Sequence, residues 1–135
     1  MNYQQYDVPE ELQSFIKCFW CLDAPAAAAP EKQRIVPDGC MEMIFHYGDL
    51  YKQYMPDGSS IIQPRCFVFG QITSPLEIEP TGSTGIIAAR FQPDGFIPFS
   101  SYSLQQMENG AVALHELFGK DATALEENVL TAATN

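Results

Sequence analysis

Basic residues are scarce in this chain. Lys17, Lys32, Arg34, Lys52, Arg65, Arg90 and Lys120 stand against seventeen acids, for a formal net charge of −10. They are scattered, so no patch could neutralise several nucleic-acid phosphates together. The same deficit argues against an anionic membrane surface. No apolar run approaches the roughly 20 residues of a membrane-spanning helix. Met1 to Asp7 lack the basic-then-apolar pattern of a secretory leader. The expectation is a cytoplasmic, soluble chain with no membrane partner. What is present is globular: 46% hydrophobic and 12% aromatic residues in 135. That suits one domain, residues 1–135, able to bury its own core. Ten prolines and nine glycines point to many turns.

Chemistry-bearing groups are just as thin. Histidines number two, His46 and His115. A metal site of the cupin kind wants two histidines one residue apart, a carboxylate and a third histidine, and neither histidine here has such company. Cys18 and Cys21 have C-x-x-C spacing, but Cys40 and Cys66 do not repeat it, and no βαβ context supports a redox motif. All four cysteines are expected to be core thiols. No Gly-x-Ser-x-Gly elbow occurs, and Ser100-Ser101 has no adjacent histidine. Gly82-Ser83-Thr84-Gly85 lacks a phosphate-loop lysine. Glu77 and Glu79 share a strand face that reads as a solvated stripe. No catalytic set, metal or cofactor is expected.

Along the chain, Pro9-Glu10-Glu11 predicts a helix start, and Leu12, Phe15, Ile16 and Phe19 continue at helical spacing. Trp20 to Leu22 then turns extended, and Ala24 to Pro30 is a proline-bounded loop. From Arg34 the pattern is short strands: Arg34–Val36, Met41–Tyr47, Leu50–Met55, Ile61-Ile62, Cys66–Gln71, Leu76–Glu79 and Gly85–Phe91. Turns such as Pro37-Asp38-Gly39 and Pro56-Asp57-Gly58 separate them. Phe96 to Phe99 is a buried short helix or turn. Helices are predicted at Leu104–Glu108, Ala113–Phe118 and Ala122–Leu130. The expected fold is therefore mainly β: a barrel or sandwich with a short N-terminal helix and a helical C-terminal tail.

Strand alternation sorts the residues after the first turn. Glu42, Ile44 and His46 share one face, and Met41, Met43, Phe45 and Tyr47 share the other. The second set fits a core or a ligand cavity, because methionine-rich walls adapt to varied shapes. Arg90 stands inside an apolar strand, Ile86 to Phe91. It could clamp a ligand carboxylate, though such an arginine more often pairs with an acid such as Glu42. The candidate ligand-binding residues are Trp20, Met43, Phe45, Tyr47, Arg90 and Phe91.

Four blocks in order carry a family resemblance. Arg34-Ile35-Val36-Pro37-Asp38-Gly39-Cys40-Met41-Glu42-Met43-Ile44-Phe45 resembles the R-x-x-P-D-G-x-x-x-x-I-F signature of one branch of AraC-type transcription regulators. Phe67 to Gln71 resembles the strand ending in Gly-Gln. Ile87 to Gly95, followed by Pro98-Phe99, is similar to the G-x-R-F-x-P-x-G block. Leu114 to Gly119 resembles a short helix ending in an aromatic and glycine. In addition to these four, Leu12 to Trp20 resembles the family's opening helix and tryptophan. Together they span roughly Pro9 to Leu130. The resemblance implies a cupin-like β-barrel, or double-stranded β-helix, that is regulatory and non-catalytic and precedes two helix-turn-helix units.

On that basis the chain is expected to be the effector-binding or dimerisation half of a regulator. Its implied partners are an unidentified small-molecule effector and a second copy of itself. DNA would be reached only through a C-terminal region beyond these 135 residues. The reading frame is accordingly expected to continue past Asn135 into a segment rich in Lys and Arg. The rival from another class is a cupin-like enzyme, an isomerase or oxygenase. A stand-alone module that only dimerises is the third alternative.

Overall fold

A computed structural model of the chain describes residues 2–26, 32–35, 39–55, 57–99, 104–108 and 110–131. Among the described residues ten strands and three short α-helices follow one another. They are β1 (Asn2–Tyr6), β2 (Ile16–Ala24), β3 (Gln33–Ile35), β4 (Glu42–His46), β5 (Tyr51–Tyr54), β6 (Ser60–Ile62), β7 (Cys66–Phe69), β8 (Leu76–Pro80), β9 (Thr84–Phe91), α1 (Leu104–Met107), β10 (Ala111–Ala113), α2 (Leu114–Phe118) and α3 (Lys120–Leu130). The strands form two antiparallel sheets, one in the order β1-β2-β9-β4-β7-β10 and one in the order β3-β8-β5-β6.

Two expectations about the fold are corrected. The first is the cupin-like barrel. The sheets do not close on each other: among the described residues β1 and β10 remain the edges of one, and β3 and β6 the edges of the other. The second is the N-terminal helix. Glu10–Leu12 make one 3-10 turn, and the chain is extended from Ile16. Leu12, Phe15, Ile16 and Phe19 do fall at helical intervals, but the segment from Ile16 to Ala24 pairs with both β1 and β9. Two ladders of backbone hydrogen bonds outweigh a short apolar periodicity. The Pro37-Asp38 corner, the Ala27–Pro30 loop, Pro56 and Ser100-Ser101 lie outside the described residues.

The six-stranded sheet is covered on both faces. On one face Met41, Phe45, Cys66, Val68 and Phe91 pack with Phe96, Met107, Leu114 and Ala122, so the helical tail lies here. Phe91 and Phe96 meet edge-on at 5.1 Å between ring centres. On the other face Trp20, Ile44, Ile86 and Ala88 meet Tyr51 and Ile78 of the smaller sheet. Covering both faces makes alternate residues of β4 and β9 apolar in either direction.

Three of the sequence blocks meet at one joint. Gln71 Nε2 donates to the Gly39 carbonyl at 2.7 Å and to the Pro93 carbonyl at 2.9 Å. A Cβ on Gly70 would fall 1.8 Å from the Met107 carbonyl oxygen, and one on Gly95 would fall 1.9 Å from that of Phe15. Those glycines are needed because backbone comes too close for any side chain.

Candidate functional site

Between the sheets lies a cavity of about 320 Å³. Glu42, Ile44 and His46 of β4 form one wall, with Trp20 and Leu22 of β2, Ile86 and Arg90 of β9, and Phe69 of β7. Tyr51, Leu76 and Ile78 of the smaller sheet form the other. Tyr3, Gln33 and Ile35, all exposed, mark its mouth. From Glu42 to His46 the wall runs four residues, about 13 Å at the rise of a strand.

The polar groups collect at the two ends of that wall. At one end Glu42 and Arg90 are register partners in β4 and β9, with Nη1 4.0 Å from Oε1. Their side chains are 26% and 31% exposed, so both are partly shielded from water. Burial pushes the Glu42 carboxyl up to about 6, and a hydrogen bond from the Trp20 side chain pulls against that rise. At 4.0 Å the guanidinium does not offset the lost hydration.

At the other end a buried polar chain runs inward. His46 Nε2 lies 3.1 Å from Gln63 Oε1, and Gln63 Nε2 donates to Gln53 Oε1 at 3.2 Å. Because the Gln63 oxygen can only accept, His46 carries its proton on Nε2. Nδ1 is then an acceptor, buried and, among the described residues, without a hydrogen-bond partner. Burial lowers the His46 pKa, and the Gln63 contact opposes this only in part. The imidazole stacks on Tyr51 at 5.5 Å, and the Tyr51 hydroxyl meets Thr84 Oγ1 at 2.9 Å. Arg65 closes this end from outside, its Nη1 donating to the carbonyls of His46 and Gly48.

The six candidate residues divide between the faces. Trp20 and Arg90 line the cavity. Met43, Phe45 and Phe91 lie on the opposite face, packed in the core beneath the helices. Tyr47 lies just beyond β4, half-exposed, its hydroxyl donating to Asp23 and its ring against Gly85. Burial and the Asp23 carboxylate raise its pKa. The methionine-rich face of β4 therefore meets helices, and the mixed face, Glu42-Ile44-His46, meets the cavity. The signal for this was present in the sequence: a carboxylate and a histidine alternating with apolar residues inside a strand.

Cys18, Cys21, Cys40 and Cys66 form no disulfide with one another. Cys18 and Cys21 are three apart in β2 and so face opposite ways, unable to share a ligand. Among the described residues no three His, Cys, Asp or Glu side chains cluster as metal ligands. No helix there is long and apolar enough to cross a membrane.

Over residues 4–129 the chain matches the model of a family described as a domain of unknown function (DUF6597). No curated protein and no solved structure matches it.

Proposed function

The chain belongs to the DUF6597 family, and we propose that it works as a small-molecule-binding regulatory domain. The observation that carries this is the cavity between the sheets, with apolar walls and a few converging polar groups. That is the usual make-up of a site where shape gives affinity and a few hydrogen bonds give orientation. The finer reading is the sensor half of an AraC-type regulator, and its support is the set of four ordered blocks in the sequence. A ligand bridging the sheets would favour one arrangement of sheets and helical tail over another. That population shift is what an attached output domain would read.

A thermal-shift screen of carboxylates and sugars tests the proposal on the chain as it stands. A ligand that binds only the folded state adds about 2.7 kcal/mol at roughly a hundred times its Kd, a shift of several degrees in Tm. Arg90→Ala should weaken any carboxylate found. Unchanged affinity in that variant would remove Arg90 from the site.

A further inference from the structure

We infer that the cavity takes an uncharged molecule with an apolar body and a hydroxyl, an alcohol or a phenol, whose O–H donates to Nδ1 of His46. The inference rests on the proposed binding role and names the ligand class for that same site.

Three observations carry it. First, His46 lines the cavity, is 1% exposed, and keeps Nδ1 without a hydrogen-bond partner among the described residues. Its Nε2 is already engaged with Gln63 Oε1 at 3.1 Å. What the ring still offers is therefore a lone pair. A buried acceptor left unmatched destabilises the fold, and a ligand that donates to it gains affinity by relieving that loss.

Second, the surroundings of the ring are apolar. His46 and Ile86 are register partners in β4 and β9, and Ile86 in turn registers with Leu22 of β2. Tyr51 stacks on the imidazole from the smaller sheet, its own hydroxyl held by Thr84. Ile44, on the same face of β4, continues the wall. Such a surface holds a hydrocarbon body out of water.

Third, no charged partner lines this end. Among the described residues the acidic and basic side chains that line the cavity are Glu42 and Arg90, about 13 Å further along the strand. Those two lie against each other, so an ion drawn to one is repelled by the other. Burial favours the neutral imidazole. A charged ligand seated here would lose its hydration with no counter-charge to replace it. A hydroxyl loses only a hydrogen bond to water and makes one to Nδ1.

Trp20, the single tryptophan of the chain, lines the cavity in the same strand as Leu22, so its emission reports occupancy. The test is a fluorescence titration of the full chain with four probes on one phenylethyl body: 2-phenylethanol, its methyl ether, 3-phenylpropanoate and 2-phenylethylamine. The alcohol should bind about fivefold more tightly than the ether, the scale of one neutral hydrogen bond, and more tightly than either ion. In His46→Phe, which keeps a flat ring at the site, the advantage over the ether should vanish. Nitrogen-15 spectra of the wild-type imidazoles give a reading that needs no variant. The unprotonated nitrogen of His46 should move several-fold further with the alcohol than with the ether, and His115, on α2, should respond to neither. Equal or tighter binding of the ether or of either ion would overturn the assignment and leave the cavity as a binding site. So would a His46 that carries its proton on Nδ1, or whose Nδ1 is unmoved by bound alcohol. Silence from all four probes would do the same, provided a neutral solvatochromic dye binds the wild type and not Ile78→Trp, whose larger side chain fills the cavity. If the dye also ignores the wild type, the binding role falls with it.

Discussion

Glu42 shows how one buried group ties the site to stability. Its carboxyl titrates at about 6 in the folded chain against an ordinary 4.5. Between those values the folded state holds more proton than the unfolded state. The contribution of Glu42 to stability is therefore greatest below 4.5 and is lost as the pH rises through 6. The difference of about one and a half units corresponds to about 2 kcal/mol. Urea unfolding at about pH 4 and about pH 7 checks this. The wild type should lose about 2 kcal/mol relative to Glu42→Gln over that interval. A difference of the opposite sign would mean that Arg90 stabilises the carboxylate after all. His46 acts the other way, since its pKa is lowered by burial. It weakens the fold as the pH falls below the ordinary histidine value, and Glu42→Gln leaves that contribution in both proteins to cancel.

At the scale of elements, β4 is the piece on which the account turns, because its two faces have different surroundings. Phe45 is packed among buried residues, so Phe45→Ala should cost about 3–5 kcal/mol. Ile44 borders space that already exists, so Ile44→Ala should cost only its transfer contribution, about 2 kcal/mol. Denaturant midpoints for the two variants decide the matter, and equal losses would mean the cavity is filled by packing. The alternation of β4 was legible in the sequence: Met41, Met43 and Phe45 against Glu42, Ile44 and His46. Which face met the cavity was not, because both faces of the sheet are covered and both carry apolar residues. Only the acid and the histidine distinguished them. The pairing of Arg90 with Glu42 was legible too, since an arginine inside an apolar strand needs an acid nearby. β2 misled through its first residues, where a brief helical spacing competes with pairing to two neighbours that no local pattern reveals. β1, with alternating polar and aromatic residues too few to stand out, and β10, three residues at the head of a predicted helix, were invisible for the same reason.

The whole molecule is acidic, and that limits its partners. With a net charge of −10, the chain alone should not retard duplex DNA at physiological salt. Anisotropy titration checks this, and micromolar binding that weakens with added salt would contradict it. The central claim is that the space between the sheets is a binding site. Its most direct measurement is to equilibrate the purified chain with a small-molecule extract of cells, wash it, and compare what it releases on unfolding with what Ile78→Trp releases, a variant whose larger side chain fills the cavity. The account predicts at least one compound enriched by the wild type and absent from the filled variant, with both proteins folded by circular dichroism. Identical compounds from both, or none from either, would contradict it.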